Sequence, residues 1–275
     1  MNDPIPKAAF FDIDGTLVPY DTQCISQADC DAIEALRERG TLIFIVSGRH
    51  ICDIDNIPFP VNGAVCSNGA LTYVVTDGCA YFHERNRFVL VEDHPIPRQQ
   101  AIDIAHIIAD NQIPSAASTS TRTLFSNITQ KALDFIRRVN MPSPKEGDIL
   151  EAAEKERIYS FCPFVSTEEE KILFKDVLHG LDTPRWCEEF CDINIHGIDK
   201  VLGIKKILSI YSIEPSAIIA FGDGSNDIAM LEFAGCGIAM GTAADEVKNA
   251  ADHVTSSAND SGVSKWLNSS QKILL

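Results

Sequence analysis

The chain has 275 residues, 45% of them hydrophobic, and carries a formal charge of −16 at pH 7. That size admits two domains with ordinary cores, and the surplus of acid argues against a nucleic-acid or anionic-membrane binder, because the mean field would repel a phosphate backbone. The opening MNDPIPK lacks a basic segment followed by an apolar run, no stretch approaches the ~20 apolar residues that span a bilayer, and the cysteines form no CxxC pair, so a cytoplasmic protein without a disulfide framework is expected.

In chain order, residues 7 to 12 read as a buried strand whose polar end is FFDIDGTL. Strand alternation would bring Asp12 and Asp14 to one face, with Gly15 turning the chain away. One carboxylate at such an edge can bind a metal and attack while its neighbour moves a proton, although Asp and Gly also favour solvated turns. Residues 27 to 39 form an amphipathic helical pattern stopped by Gly40, and 41 to 46 (TLIFIV) a second buried strand. Continuous apolar strands separated by a helix point to a parallel sheet. Ser47, Gly48 and Arg49 follow that strand in VSGRH, where a hydroxyl and exposed backbone N–H groups suit phosphoryl oxygens, or where Ser-Gly is just a turn.

From 71 to 92 the sequence alternates, with Asp77-Gly78 as a hairpin signal. Helical patterns at 98 to 110 and 128 to 139, a strand at 158 to 165, and Thr167 with Glu170 at capping-box spacing follow. This mixture predicts an α+β domain over 84–186 inserted between core segments 1–83 and 187–275. The insert carries 16 acidic and 13 basic side chains, which leaves −13 of the total charge to the core. Arg85, Arg87, Arg122 and Arg185 are its candidate contacts to an anionic ligand. Cys187 and Cys191 read as ordinary half-buried positions.

The third block repeats the first: a helix at 199 to 211, strand 217 to 222, helix 226 to 233, strand 236 to 240 and helix 243 to 250. The expected fold is therefore α/β, a doubly wound, mostly parallel, Rossmann-like sheet with an inserted α+β cap domain. GDGSNDIAML at 222 to 231 puts Asp223 where strand gives way to loop, matching Asp12. Two strand ends converging on one Mg2+ would make Asp12 and Asp223 its ligands, with the main-chain oxygen of Asp14 as a third. Asn226 and Asp227, one turn on, suit bonds from metal-bound water or Lys200, or a helix cap; the roles are not exclusive. Lys200 lies in a first helical turn against the helix dipole, where it would neutralise phosphate charge or stand as a solvated lysine.

DIDGT at 12 to 16, SGR at 47 to 49, Lys200 and GDGSNDIAML resemble, in order and spacing, the four motifs of the haloacid dehalogenase-like hydrolase superfamily. An insert between the second and third motifs, with SNGA at 67 to 70 and GIAMG at 237 to 241, resembles the Cof subfamily of small-molecule phosphatases with a type IIB cap. Thr242 stands where that subfamily often has asparagine. The resemblance implies that Asp12 is the nucleophile of a magnesium-dependent phosphatase, forming an aspartyl-phosphate, and that Asp14 protonates the leaving group and then activates water. It further implies that Ser47 holds a phosphoryl oxygen, that Asp223 ligates the metal with Asp227 in support, and that the cap gates access and selects a small phosphorylated metabolite.

A sugar phosphate is the first expected substrate class. A sugar phosphomutase, or a phosphatase for pyridoxal or flavin phosphate, would share the same core chemistry. A phosphorylated switch or binding protein is a remote third reading. Receiver domains combine acids, a hydroxyl, a lysine and an aspartyl-phosphate but lack an acid two residues after the nucleophile and a large cap.

Overall fold

The computed structural model describes residues 5–22, 24–138, 145–185 and 187–269. It begins with β1 (Ala8–Phe11), α1 (Gln27–Glu38), β2 (Leu42–Val46), β3 (Gly63–Cys66), β4 (Leu71–Val75) and β5 (Phe88–Asp93). There follow α2 (Arg98–Asp110), β6 (Ser115–Thr119), β7 (Thr123–Ser126), α3 (Gln130–Arg138), α4 (Ile149–Lys155), β8 (Ile158–Pro163), α5 (Thr167–Leu173), β9 (Leu181–Asp182) and β10 (Asn194–Ile195). The last block is α6 (Lys200–Tyr211), β11 (Ile218–Gly222), α7 (Ile228–Phe233), β12 (Cys236–Ala239), α8 (Asp245–Ala250), β13 (His253–Val254) and α9 (Gly262–Ser269).

The chain divides into two compact units, an insert over Asp93–Ile198 and a core made of everything before and after it. These boundaries differ from the expected 84 and 186. On the first side, β5 completes the edge of the core sheet. On the second, Cys191 and Ile193 are buried in the insert's own core. Trp186, at the expected boundary, lies outside the described residues.

The core sheet runs in the order β13-β12-β11-β1-β2-β3-β4-β5. The pairs from β13 to β3 are parallel, and β4 is antiparallel to β3. Strand β1 (AAFF) is buried throughout because both sheet faces are covered. Phe10 and Phe44 stack on one face over a cluster with Ile204 and Ile207 of α6, Met230 of α7 and Val247 of α8. Phe11 stacks on Phe221 on the other, where Trp266 of α9 packs edge-on. From β1 the chain winds outward through β2 and β3; from β11 it winds the opposite way through β12 and β13. The gap between β1 and β11 is thus a topological switch point, the position at which open α/β sheets bind ligands beyond the strands' carboxyl ends.

In the insert, β7-β6-β8 form a three-stranded antiparallel sheet. Helices α2 and α4 cover one face through Ile104, Ile108 and Ala153. Phe135 of α3 packs against Phe164 and Phe190.

Two local expectations are corrected. The tight hairpin falls at residues 67–70, between β3 and β4, rather than at Asp77-Gly78. Asp77-Gly78 lies within the longer connection to β5, where Gly78 turns the chain at φ 77° and Ala80 pairs with Val61. The capping box is formed by Ser166 and Glu169, one residue before the expected pair. Glu170 turns inward and binds Arg185 and Thr183.

Candidate active site

Three neighbouring parallel strands end at the site. Register aligns Phe11 of β1 with Ile45 of β2 and Phe221 of β11, so Asp12, Ser47 and Asp223 leave adjacent strands at nearly one level. Strand β1 stops at Phe11, and Asp12 and Asp14 lie just beyond it, the N–H of Asp12 still donating to the Phe221 carbonyl at 3.0 Å. Gly15, at φ 82°, leaves no room for a side chain: a Cβ would collide with the Asp223 carboxylate.

Lys200 is the buried centre. Only 1% of it is exposed, and its Nζ donates to Asp12 Oδ1 and to Asp227 Oδ1, both at 2.6 Å. The solvated-lysine alternative is thereby excluded. Asp199 caps α6 by accepting from the Leu202 N–H, which places Lys200 at the first helical position. Burial works against the lysine's charge, but Asp12 and Asp227 outweigh it and hold the ammonium above its usual range.

Asp227 accepts the N–H groups of Asp223 at 3.0 Å and Gly224 at 2.9 Å on its other oxygen. It therefore shapes the loop after β11 and anchors Lys200 at once. Asp12, Asp223 and Asp227 each offer an oxygen within 4.8 Å of the others. Burial, then the Asp227 charge, pushes Asp12 well above the usual carboxylate range, with Lys200 opposing. The same two causes push Asp223 up to about 7. Three carboxylates facing one ammonium leave negative charge uncompensated in a buried setting, and an all-oxygen donor set fits a hard divalent cation. Asp12, Asp223 and Asp227, with the main-chain oxygen of Asp14, are the residues that would hold it.

Asp14 is engaged elsewhere. Arg49 grips its carboxylate through Nε, at 2.8 Å, and Nη2, while Nη1 reaches the Asp53 carbonyl. Arg49 was expected on phosphate; here its partner is the second acid of the opening motif. Ser47 is buried, and its Oγ accepts the Arg49 N–H at 3.1 Å. Gly48 lies against Asn68, and Asn226 Nδ2 donates to Asn68 Oδ1 at 3.0 Å.

Three residues at the site have no role predictable from the sequence: Thr16, whose hydroxyl donates to Asp223 Oδ1 at 3.0 Å, Tyr20, and Asn68. Tyr20 is 58% exposed, with its hydroxyl 3.3 Å from the Asp14 carbonyl and 3.4 Å from Asp223 Oδ2. Thr16 and Asn68 belong to motifs already singled out, DIDGT and SNGA; nothing in the sequence marks Tyr20.

The four arginines expected as ligand contacts all have partners. Arg85 and Arg87 fall in the core unit and bind Asp55 and the Asp77 carbonyl. Arg122 pairs with Glu156 at 3.3 Å, and Arg185 with Glu170 at 2.6 Å.

Residues 9–267 match the haloacid dehalogenase-like hydrolase family. The chain belongs to that family. YkrA of Bacillus subtilis, named as a phosphatase, is 29% identical over 94% of this chain and 95% of its own. YitU of the same organism, named a 5-amino-6-(5-phospho-D-ribitylamino)uracil phosphatase, is 26% identical over 95% of this chain and 96% of its own. Among solved structures, a sugar phosphatase of subclass IIB of this haloacid dehalogenase family aligns with TM-score 0.80 and 29% identity, covering 97% of this chain and all of that one. The Cof-type, type IIB reading of the sequence stands on these likenesses. All nine cysteines are free, and among the described residues no helix is long and apolar enough to cross a membrane.

Proposed function

We infer that this haloacid dehalogenase-type phosphatase is magnesium-dependent and hydrolyses a small phosphate monoester through an aspartyl-phosphate on Asp12. The observation that carries the reading is the convergence of Asp12, Asp223 and Asp227 around buried Lys200 at the switch point. Asp12 attacks phosphorus in line as the ester P–O bond breaks, and Lys200 spreads positive charge over the site. Asp14 gives a proton to the leaving alkoxide and later takes one from the water that cleaves the acyl phosphate. Arg49 holds the Asp14 carboxylate through two N–H donors, so reaching the leaving oxygen requires Asp14 to turn out of that grip. Ser47, with the Gly48 and Arg49 turn and Asn226, receives phosphoryl oxygens. When bound, Mg2+ supplies the charge that draws an anionic ester to an acidic protein and neutralises its oxygens.

A sugar phosphate is the favoured class, on the likeness to the subclass IIB sugar phosphatase. The likeness to YitU favours a second reading, a phosphorylated ribitylaminouracil as substrate. We place the protein in the cytoplasm, acting on a soluble metabolite rather than on nucleic acid or membrane, and the free cysteines support a reducing compartment. A panel of phosphorylated metabolites, read as phosphate release with Mg2+, with Ca2+ and with excess chelator, tests the reading. Turnover of one ester class with Mg2+ alone is expected, and full activity in chelator sinks it. Trapping the phosphoenzyme with sugar monophosphate against water separates phosphatase from mutase.

A further inference from the structure

The tight hairpin between β3 and β4 is built from three successive left-handed residues: Ser67 at φ 49°, Asn68 at 52° and Gly69 at 106°. No other such run occurs among the described residues. Two of the three carry a Cβ and are disfavoured in that conformation, which persists where the surroundings over-determine it.

The surroundings are the active-site segments. The Ser67 N–H donates to the Arg49 carbonyl at 3.0 Å, and the Asn68 N–H to the Ser47 carbonyl at 3.1 Å. Gly69 abuts the backbone of Asp199, the residue before Lys200. The Asn68 carboxamide lies flat on Gly48, where a Cβ would meet its oxygen at 3.2 Å and its nitrogen at 3.3 Å. That same oxygen accepts from Asn226 Nδ2 at 3.0 Å. One side chain therefore touches both the turn after β2 and the loop after β11, which reach the site from opposite sides of β1.

Asn226 is otherwise exposed, and an exposed carboxamide samples several rotamers. We propose that Asn68 is a positioning residue for phosphoryl binding: its carboxamide oxygen fixes the orientation of Asn226 while its main chain holds the Ser47 turn, so that the two sides of the phosphate site keep one spacing. The inference rests on the phosphatase reading above.

Asn68→Gly isolates the carboxamide, because glycine keeps the left-handed backbone without the strain that alanine would bring. With p-nitrophenyl phosphate as the probe, Asn68→Gly is expected to raise KM and the inhibition constant of inorganic phosphate about threefold to tenfold, the worth of one hydrogen bond, with kcat changing less. Asn226→Ala should give a similar rise, and the double variant should be no worse than Asn226→Ala alone. Wild-type KM and phosphate inhibition in Asn68→Gly would overturn the inference and reduce the loop to a backbone device. Fully additive effects in the double variant would overturn it too. A wild-type protein that hydrolyses neither the probe nor any ester of the metabolite panel would overturn the phosphatase reading, and this inference with it.

Discussion

The acidic strand ends of the core and the interior of the insert treat charge in opposite ways. In the insert, acids and bases are matched locally: Glu170 with Arg185, Glu156 with Arg122 and two threonine hydroxyls, Asp93 with Arg157 and the Tyr159 hydroxyl. In the core, Asp12, Asp223 and Asp227 crowd round one lysine and remain in surplus. Matched charge is architecture, because each ion's desolvation is offset by its own partner. A surplus at buried strand ends is costly to fold and makes sense where a ligand completes it.

The contrast can be broken most sharply at Asp12. Asp12→Asn should cut kcat about ten-thousandfold or more, since it removes the proposed nucleophile. The melting temperature should not fall, because an amide relieves repulsion from Asp227 and Asp223. Phosphate release and calorimetry check both halves, and near-normal turnover would refute the mechanism. Lys200→Met removes the ammonium that joins Asp12 to Asp227 and strands two buried carboxylates, at about 3–5 kcal/mol in cation-free urea unfolding. Unchanged stability would mean that the acids do not depend on it. Glu170→Gln, in the matched region, should cost about 2 kcal/mol while kcat holds, because Arg185 keeps its bond to the Val165 carbonyl. Lost turnover with intact stability would reverse the distinction.

The contrast also has a pH dependence. The folded-state value of about 7 for Asp223 lies above the ~3.9 of an unfolded aspartate. The stabilisation from its proton is complete below the unfolded value and is lost as pH rises through the folded one. The cation-free melting temperature should therefore drift down between about pH 4 and pH 8, and saturating Mg2+ should flatten the drift by favouring the ionised acids. A cation-free melting temperature that rises over that window would contradict it.

Much of this was legible in the sequence where physics is local. Apolar runs ending in aspartate or serine marked β1, β2 and β11, because strands buried on both faces must be continuously apolar and their ends return to water. Strand β6 (SAAST) escaped because its small side chains give no apolar alternation, and β7 (TLFS) because four residues are too few to show one. The Arg49 grip on Asp14 joins residues 35 positions apart and leaves no periodic trace. Asn68 entered only through the SNGA resemblance, and its contact with Asn226 exists only once β2 and β11 flank β1.

The chain comes back from the insert at Asp199, one residue ahead of the buried lysine. That residue is fastened twice: its carboxylate caps α6, and its carbonyl is wedged against Gly69. Two fixed points at the head of α6 therefore hold its first turn, and with it the ammonium, in register with Asp12.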